Sequence, residues 1–212
     1  MFDKIADRYD LLNTVISFGM HKSIKKAALE NLNIENNQEI IDLCTGTGDI
    51  TGILAEINPT LKIIGVDFSS KMLKLAKKKH PNMKFLESDC ANLPLEDDSF
   101  DICTMFFGYR NVEDKERCIK EIVRVLKPSG QFVHLDFSSN NKIFSRILDL
   151  IIFVAAHLFT KNRRAYRYLI KSKQEFMKPE EVIKTFEKHG LKNTKRKDFI
   201  LGVVSAQYFI KG

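Results

Sequence analysis

The stretch Ile40-Ile41-Asp42-Leu43-Cys44-Thr45-Gly46-Thr47-Gly48-Asp49 limits the fold more than any other. A short apolar run ends in a Gly-x-Gly turn that opens directly into a helical pattern. Glycines at such a turn let the backbone approach a ligand and present free amides at a helix start. The same alternation then repeats. Apolar runs at 39–44, 61–66, 83–86, 100–106 and 131–137 alternate with helical patterns at 49–57, 69–79 and 115–126. Runs apolar on both faces, separated by helices, predict βαβ units around a parallel sheet. Pro128 and Gly130 read as the stop after the third of these helices. A long apolar helix follows at 143–159, then a helix at 180–189. Two final strands near 193–199 and 203–210 are adjacent in sequence and predict an antiparallel edge pair. Residues 1–38 read as mainly helical.

The chemistry gathers where the predicted strands end. Asp67 follows Gly48 by 19 residues, at the end of the second strand, where an acid accepts hydrogen bonds from ribose hydroxyls. A dinucleotide site would have a third glycine at Thr51, and it has none. An adenosyl sulfonium carries no pyrophosphate, so it tolerates the acid Asp49 after the turn, and its positive charge suits Asp42 and Asp49. Ser88-Asp89-Cys90 ends the third strand. There Asp89 reads either as an acceptor for an adenine amino group, with Cys90 lending its amide, or as a turn residue. His134 reads as a packed core residue inside the fifth strand.

Other features narrow the class. Four cysteines without a C-x-x-C pair, and five scattered histidines, argue against a metal site and read as reduced thiols in a cytoplasmic protein. Met1–Asp10 has no apolar core of a secretory signal. Ile147–Phe159 is 13 residues long and contains Asp149 and His157, too short and too polar to span a bilayer. The net charge of +7 is uneven: residues 161–197 hold 13 Lys/Arg against 4 Asp/Glu. Nucleic acid, anionic lipid, an acidic partner and a plain solvated face all suit that excess. No aromatic-interleaved RNA-binding pattern accompanies it, so no nucleic acid is expected.

Five segments carry a family resemblance. Phe2-Asp3-Lys4-Ile5-Ala6-Asp7-Arg8-Tyr9-Asp10 with Asn13, the Asp42–Asp49 turn, Phe107-Gly108-Tyr109-Arg110-Asn111-Val112, Tyr166-Arg167-Tyr168-Leu169 with Ser172, and Gly202-Val203-Val204 together resemble the ubiquinone/menaquinone biosynthesis C-methyltransferases. These belong to the class I S-adenosylmethionine methyltransferases, and the likeness covers nearly the whole chain. It implies a Rossmann-like α/β domain over 1–212. That domain would comprise a helical lid (1–38), a cofactor core (39–137), a substrate-side helical insertion (138–192) and C-terminal edge strands (193–212). It also implies S-adenosylmethionine as cofactor, held by Asp42, Thr45, Gly46, Thr47, Gly48, Asp67, Phe68, Asp89, Cys90 and Phe106.

The implied reaction is C-methylation of a reduced prenylated quinone, demethylmenaquinol to menaquinol. Arg110, Asn111, Tyr9, Asp10 and Asp136 are the expected catalytic group. Arg110 would stabilise a phenolate; Asp136 is a candidate base or else a turn acid; Tyr9 and Asp10 act from the lid or only pack and cap it. Residues 143–159 are expected to line a greasy acceptor pocket beside an anionic membrane face, or to serve as a core or dimer helix. Ile24 and Lys25 stand where the family has Trp-Arg, and Asp136-Phe137-Ser138-Ser139-Asn140 replaces Glu-Phe-Ser-Lys-Pro. These substitutions keep open a methyltransferase acting on another small hydrophobic acceptor. A nucleic-acid-binding protein is the reading from a different class.

Overall fold

The computed structural model describes residues 19–138, 141–159 and 163–212. The elements run α1 (Met20–Leu29), β1 (Glu39–Leu43), α2 (Asp49–Ile57), β2 (Lys62–Asp67), α3 (Ser70–Lys79), β3 (Lys84–Glu87) and β4 (Phe100–Phe106). A 3-10 turn (Tyr109–Asn111) follows, then α4 (Lys115–Val125), β5 (Leu126–Phe137), α5 (Lys142–Phe159), α6 (Arg163–Gln174), α7 (Pro179–Glu187), β6 (Leu191–Phe199) and β7 (Val204–Lys211). Seven strands form one sheet in the order β3-β2-β1-β4-β5-β7-β6. β1 to β5 are parallel, and β7 runs antiparallel between β5 and β6.

The strand pattern follows from burial on two faces. Ile41, Leu43, Met105 and Phe132 point into one core with Ile119 and Ile122 of α4 and Phe186 of α7. Their neighbours Ile40, Ile102 and Val133 point the other way, against Ala28, Leu29, Ile50 and Leu54 of α1 and α2. The period of two thus separates the cores, and a one-residue slip would exchange them. Helix starts are set by side chains. Ser69 accepts from the Met72 amide at 3.2 Å before α3, and Asp114 from the Arg117 amide at 3.0 Å before α4. Pro179 opens α7, where no amide partner is needed.

Two boundaries differ from expectation. β5 begins at Leu126 rather than at Gln131, because Pro128-Ser129-Gly130 forms a bulge inside the strand. The pairing with β4 jumps there from Phe100↔Leu126 to Ile102↔Gln131, and Ser129 sits at φ 62. The basic run after residue 162, placed within the helical insertion and read for its charge, is the helix α6. Its Lys173 is buried, with Nζ on Asp149 Oδ1 of α5 at 2.7 Å and on Ser145 Oγ at 2.7 Å. One member of the basic excess is therefore an internal clamp between two helices.

Sheet order reverses between β1 and β4, which leave on opposite sides toward β2 and β5. Ligands in such sheets bind beyond the strand ends at this reversal. The turns after β1 and β4 do meet there.

Candidate active site

Each wall of the reversal is a strained turn. After β1, Cys44 (φ 56), Gly46 (φ 58) and Gly48 (φ 80) all take left-handed backbone. The Thr45 amide donates to Val66 O at 2.9 Å, and the Gly46 amide to Asp67 Oδ2 at 2.8 Å. Asp67 also accepts from the Ser69 amide at 2.9 Å. A Cβ on Gly46 would meet nothing within 4 Å, so this part of the loop faces open space; one on Gly48 would press on His80 and Phe85. Gly46 is the glycine a ligand can approach, and Gly48 is a packing glycine. Thr47 lies between them, buried.

Asp42 lies beneath the loop. Its carboxylate accepts from Thr104 Oγ1 (2.7 Å), Thr45 Oγ1 (2.6 Å) and Thr51 Oγ1 (3.2 Å). Burial pushes its carboxyl up to about 6 against the pull of those hydroxyls. It braces β1, β4, the turn and α2 together. Burial alone would raise the Asp49 carboxyl too, but Lys25 of α1 (2.8 Å) and Lys79 of α3 hold it well below the usual carboxylate range. Asp49 is thus already matched by two lysines, and the expectation that it serves a ligand's positive charge loses its basis.

Asp67 ends β2, and the Phe68 ring beside it is 59% exposed. Asp89 turns the chain after β3, with Oδ1 accepting the Ala91 amide at 2.9 Å; both the turn role and a ligand role fit that placement. Cys90 faces inward, its sulfur 3.5 Å from Cys118 Sγ. Burial and the hydrogen bond to Cys90 push the Cys44 and Cys118 thiols up. Phe106 closes β4 within the second core.

The second wall is the turn after β4. Phe107 (φ 58) points its carbonyl at two side chains, Arg110 Nη1 at 2.6 Å and Asn111 Nδ2 at 3.4 Å. Arg110 Nη1 also reaches Asp136 Oδ1 at 2.6 Å, with side-chain exposures of 6% and 0%. The guanidinium lies 5.1 Å from the Phe137 ring centroid. Gly108 allows all this, since a Cβ there would strike Cys44 and come within 2.7 Å of its sulfur.

Arg110 opens onto a cleft of about 340 Å³, lined also by Lys115, Tyr168, Lys171, Ser172, Glu175, Phe176 and Met177. Arg110, Asn111 and Asp136 are therefore brought together, while Tyr9 and Asp10 lie outside the described residues. The described lining residues come from the turn after β4, the start of α4 and residues 168–177. The cleft wall from α6 was missed. Its signal was present: Tyr168, Lys171, Ser172 and Glu175 recur at i, i+3, i+4 and i+7, one helical face.

The sheet order, the opposed turns and the acid ending β2 define a Rossmann-like class I methyltransferase fold. A SAM-dependent methyltransferase from Thermotoga maritima superposes with TM-score 0.72 at 21% identity, covering 100% of this chain and 98% of that one. One from Aquifex aeolicus gives 0.68 at 17%, covering 89% of each. The chain belongs to the ubiE/COQ5 methyltransferase family, whose model matches residues 1–211. It is similar to the demethylmenaquinone methyltransferase of Thermotoga maritima, 39% identical over 90% of this chain and 86% of the relative. It is also similar to the ubiquinone/menaquinone biosynthesis C-methyltransferase UbiE of Geotalea daltonii, 38% identical over 97% and 92%. Among the described residues no helix is long and apolar enough to cross a membrane.

Proposed function

We propose that this enzyme methylates a ring carbon of a reduced prenylated quinone, demethylmenaquinol being the first candidate, with S-adenosylmethionine as donor. The observation that carries the reading is the buried Arg110–Asp136 pair, whose arginine lines an aromatic-walled cleft and sits on the turn where Gly108 packs against Cys44 of the Gly46–Asp67 loop. That loop, with Phe68, fits an adenosyl group. Gly46 gives an open backbone edge, Asp67 a carboxylate for ribose hydroxyls, and Phe68 an aromatic ring for an adenine face. Bound there, S-adenosylmethionine supplies an already electrophilic methyl group.

The chain then has two tasks: to hold the acceptor carbon in line with the methyl, and to favour the phenolate that makes the ring electron-rich. Phe176, Met177 and Tyr168 offer flat apolar contact for the ring. The Arg110 guanidinium favours a phenolate oxygen beside it. Asp136 and the Phe107 carbonyl fix its position. Asn111 reinforces the same turn.

The binding half of this reading is tested by calorimetry with S-adenosylmethionine. Phe68→Ala should weaken affinity about tenfold, one base–aromatic stack, with thermal stability unchanged because the ring is exposed. Unchanged affinity would remove Phe68 from the cofactor site.

The tail of a prenylated acceptor is lipid-like, and α5 exposes apolar side chains to match. Phe144 (40% exposed), Ile147 (48%), Leu150 (63%) and Phe153 (58%) spread over one side of that helix, with Arg146 and Lys171 also exposed. Apolar residues flanked by cations suit an anionic bilayer surface.

A further inference from the structure

His134 is 1% exposed, and the reaction described above does not use it. A chain of polar contacts nevertheless fixes which of its ring nitrogens holds a proton. Arg196 grips Asp198 through Nε to Oδ1 (2.9 Å) and Nη2 to Oδ2 (2.7 Å), so Asp198 is ionised and only accepts. Ser205 Oγ, 2.6 Å from Asp198 Oδ1, must donate to it. Gln207 Nε2 therefore donates to Ser205 Oγ (2.8 Å), which turns Gln207 Oε1 toward His134 Nδ1 at 2.6 Å. Nδ1 carries the hydrogen, and Nε2 is left bare in the neutral ring. Bare Nε2 faces Asp136 Oδ2 at 4.0 Å. Both atoms are buried and neither has a hydrogen-bond partner. Two buried acceptors face each other, an arrangement that a proton between them relieves.

We propose that His134 Nε2 and Asp136 Oδ2 form the proton-holding site of the methyl transfer. The proposal rests on the quinol reading above. The acceptor's O–H bond breaks with its electron pair staying on oxygen, and the proton comes to rest on Nε2, between it and Asp136 Oδ2. Arg110 and Asp136 cancel in charge before the step. Afterwards Arg110, Asp136 and protonated His134 sum to +1 beside an oxygen of charge −1. The charge separation stays local, and Arg110 is released from full neutralisation as the phenolate forms. His134 acts through Asp136 and Arg110 and is a positioning residue.

The groups facing His134 are few. Asp136 shares its strand. The 3-10 turn contributes Arg110 and Tyr109, whose ring centroid is 5.6 Å away. β7 contributes neutral Gln207. Phe176 and Phe186 complete the surround without charge. Lys115 of α4 lies 6.0 Å from the Tyr109 centroid, on the cleft side. Burial lowers the His134 pKa; Asp136 and the Gln207 hydrogen bond oppose this, and Arg110 adds to it. The ring is thus neutral at pH 7 before the step.

Two experiments on the intact protein test the site. In nitrogen-15 NMR of the ring-labelled wild-type chain, His134 should show the neutral Nδ1–H tautomer, with an Nε2 signal that moves in Asp136→Asn. A hydrogen found on Nε2 overturns the proposal. Single-turnover methylation of chemically reduced demethylmenaquinol is then followed against pH. His134→Asn keeps a donor toward Gln207 and loses the base. Its rate should fall about 10²-fold at pH 7 with KM unchanged, and should recover as pH rises and hydroxide takes the proton. A variant profile parallel to wild type overturns the proposal, since a structural role gives that result. No turnover by wild type alongside the Nδ1–H tautomer would sink the quinol reading and leave the proton site standing. Turnover with hydrogen on Nε2 would do the reverse.

Discussion

Arg110 and Asp136 are each buried because the other is. Removing the guanidinium strands a carboxylate that has almost no solvent, which costs about 3–5 kcal/mol. Arg110→Ala should therefore lower both turnover and urea stability. The double variant Arg110→Ala/Asp136→Ala should regain much of the stability and none of the activity. Equal instability in the single and double variants would mean the pair is not the unit described here. At this scale the sequence was informative where a residue type has one use. Asp67 was expected at the end of the second strand and stands there, while Arg110 was singled out through the family segment Phe107–Val112. Asp42 and Asp49 were read as suiting a ligand's charge; three threonines bond the first and two lysines the second. Their partners come from elements up to 62 residues away, and no local pattern reveals such pairings. His134 was read as core packing, and its burial agrees. Its polar partner Gln207 is 73 residues away, so the contact network was equally invisible.

The turns after β1 and β4 work as one element. Gly108 lies on Cys44, and neither atom nearest its missing Cβ is the end of a long flexible chain. Gly108→Ala should thus cost about 1–3 kcal/mol by overpacking and weaken cofactor binding, because the Cys44–Gly48 turn must move. The double variant Cys44→Gly/Gly108→Ala should recover most of both losses, since Cys44 already has φ 56, which glycine adopts freely. No recovery in the double variant would show that the two turns do not press on each other. Strand and helix positions were legible because apolar period and turn residues agreed. The start of β5 was not: Pro128 and Gly130 signal a stop, and only the bulge against β4 shows that pairing resumes earlier. The helix α6 was hidden because its polar composition drew attention to charge rather than to spacing.

For the whole molecule, the uneven charge has a divided explanation. Lys173 pairs with Asp149 inside the fold and Arg196 with Asp198 and Glu180 at the surface, so part of the 161–197 excess needs no outside partner. The exposed apolar residues of α5 are the surface proposed above for an anionic bilayer. The protein should float with liposomes containing anionic lipid, and Leu150→Asp/Phe153→Asp should reduce that at least severalfold without changing stability. Equal flotation of wild type and variant would remove α5 from the membrane contact. The fold class was legible from the alternation of strand and helix alone, because few topologies satisfy it. The acceptor was legible only through family resemblance, since the cleft's aromatic and cationic lining suits more than one hydrophobic phenol.

The central claim is tested most directly by incubating the purified protein with S-adenosylmethionine and chemically reduced demethylmenaquinone, then reading the quinones by mass spectrometry. The account predicts a product heavier by one methylene, absent with Arg110→Ala. No product from a protein that binds S-adenosylmethionine would contradict the quinol reading and point to a different hydrophobic acceptor.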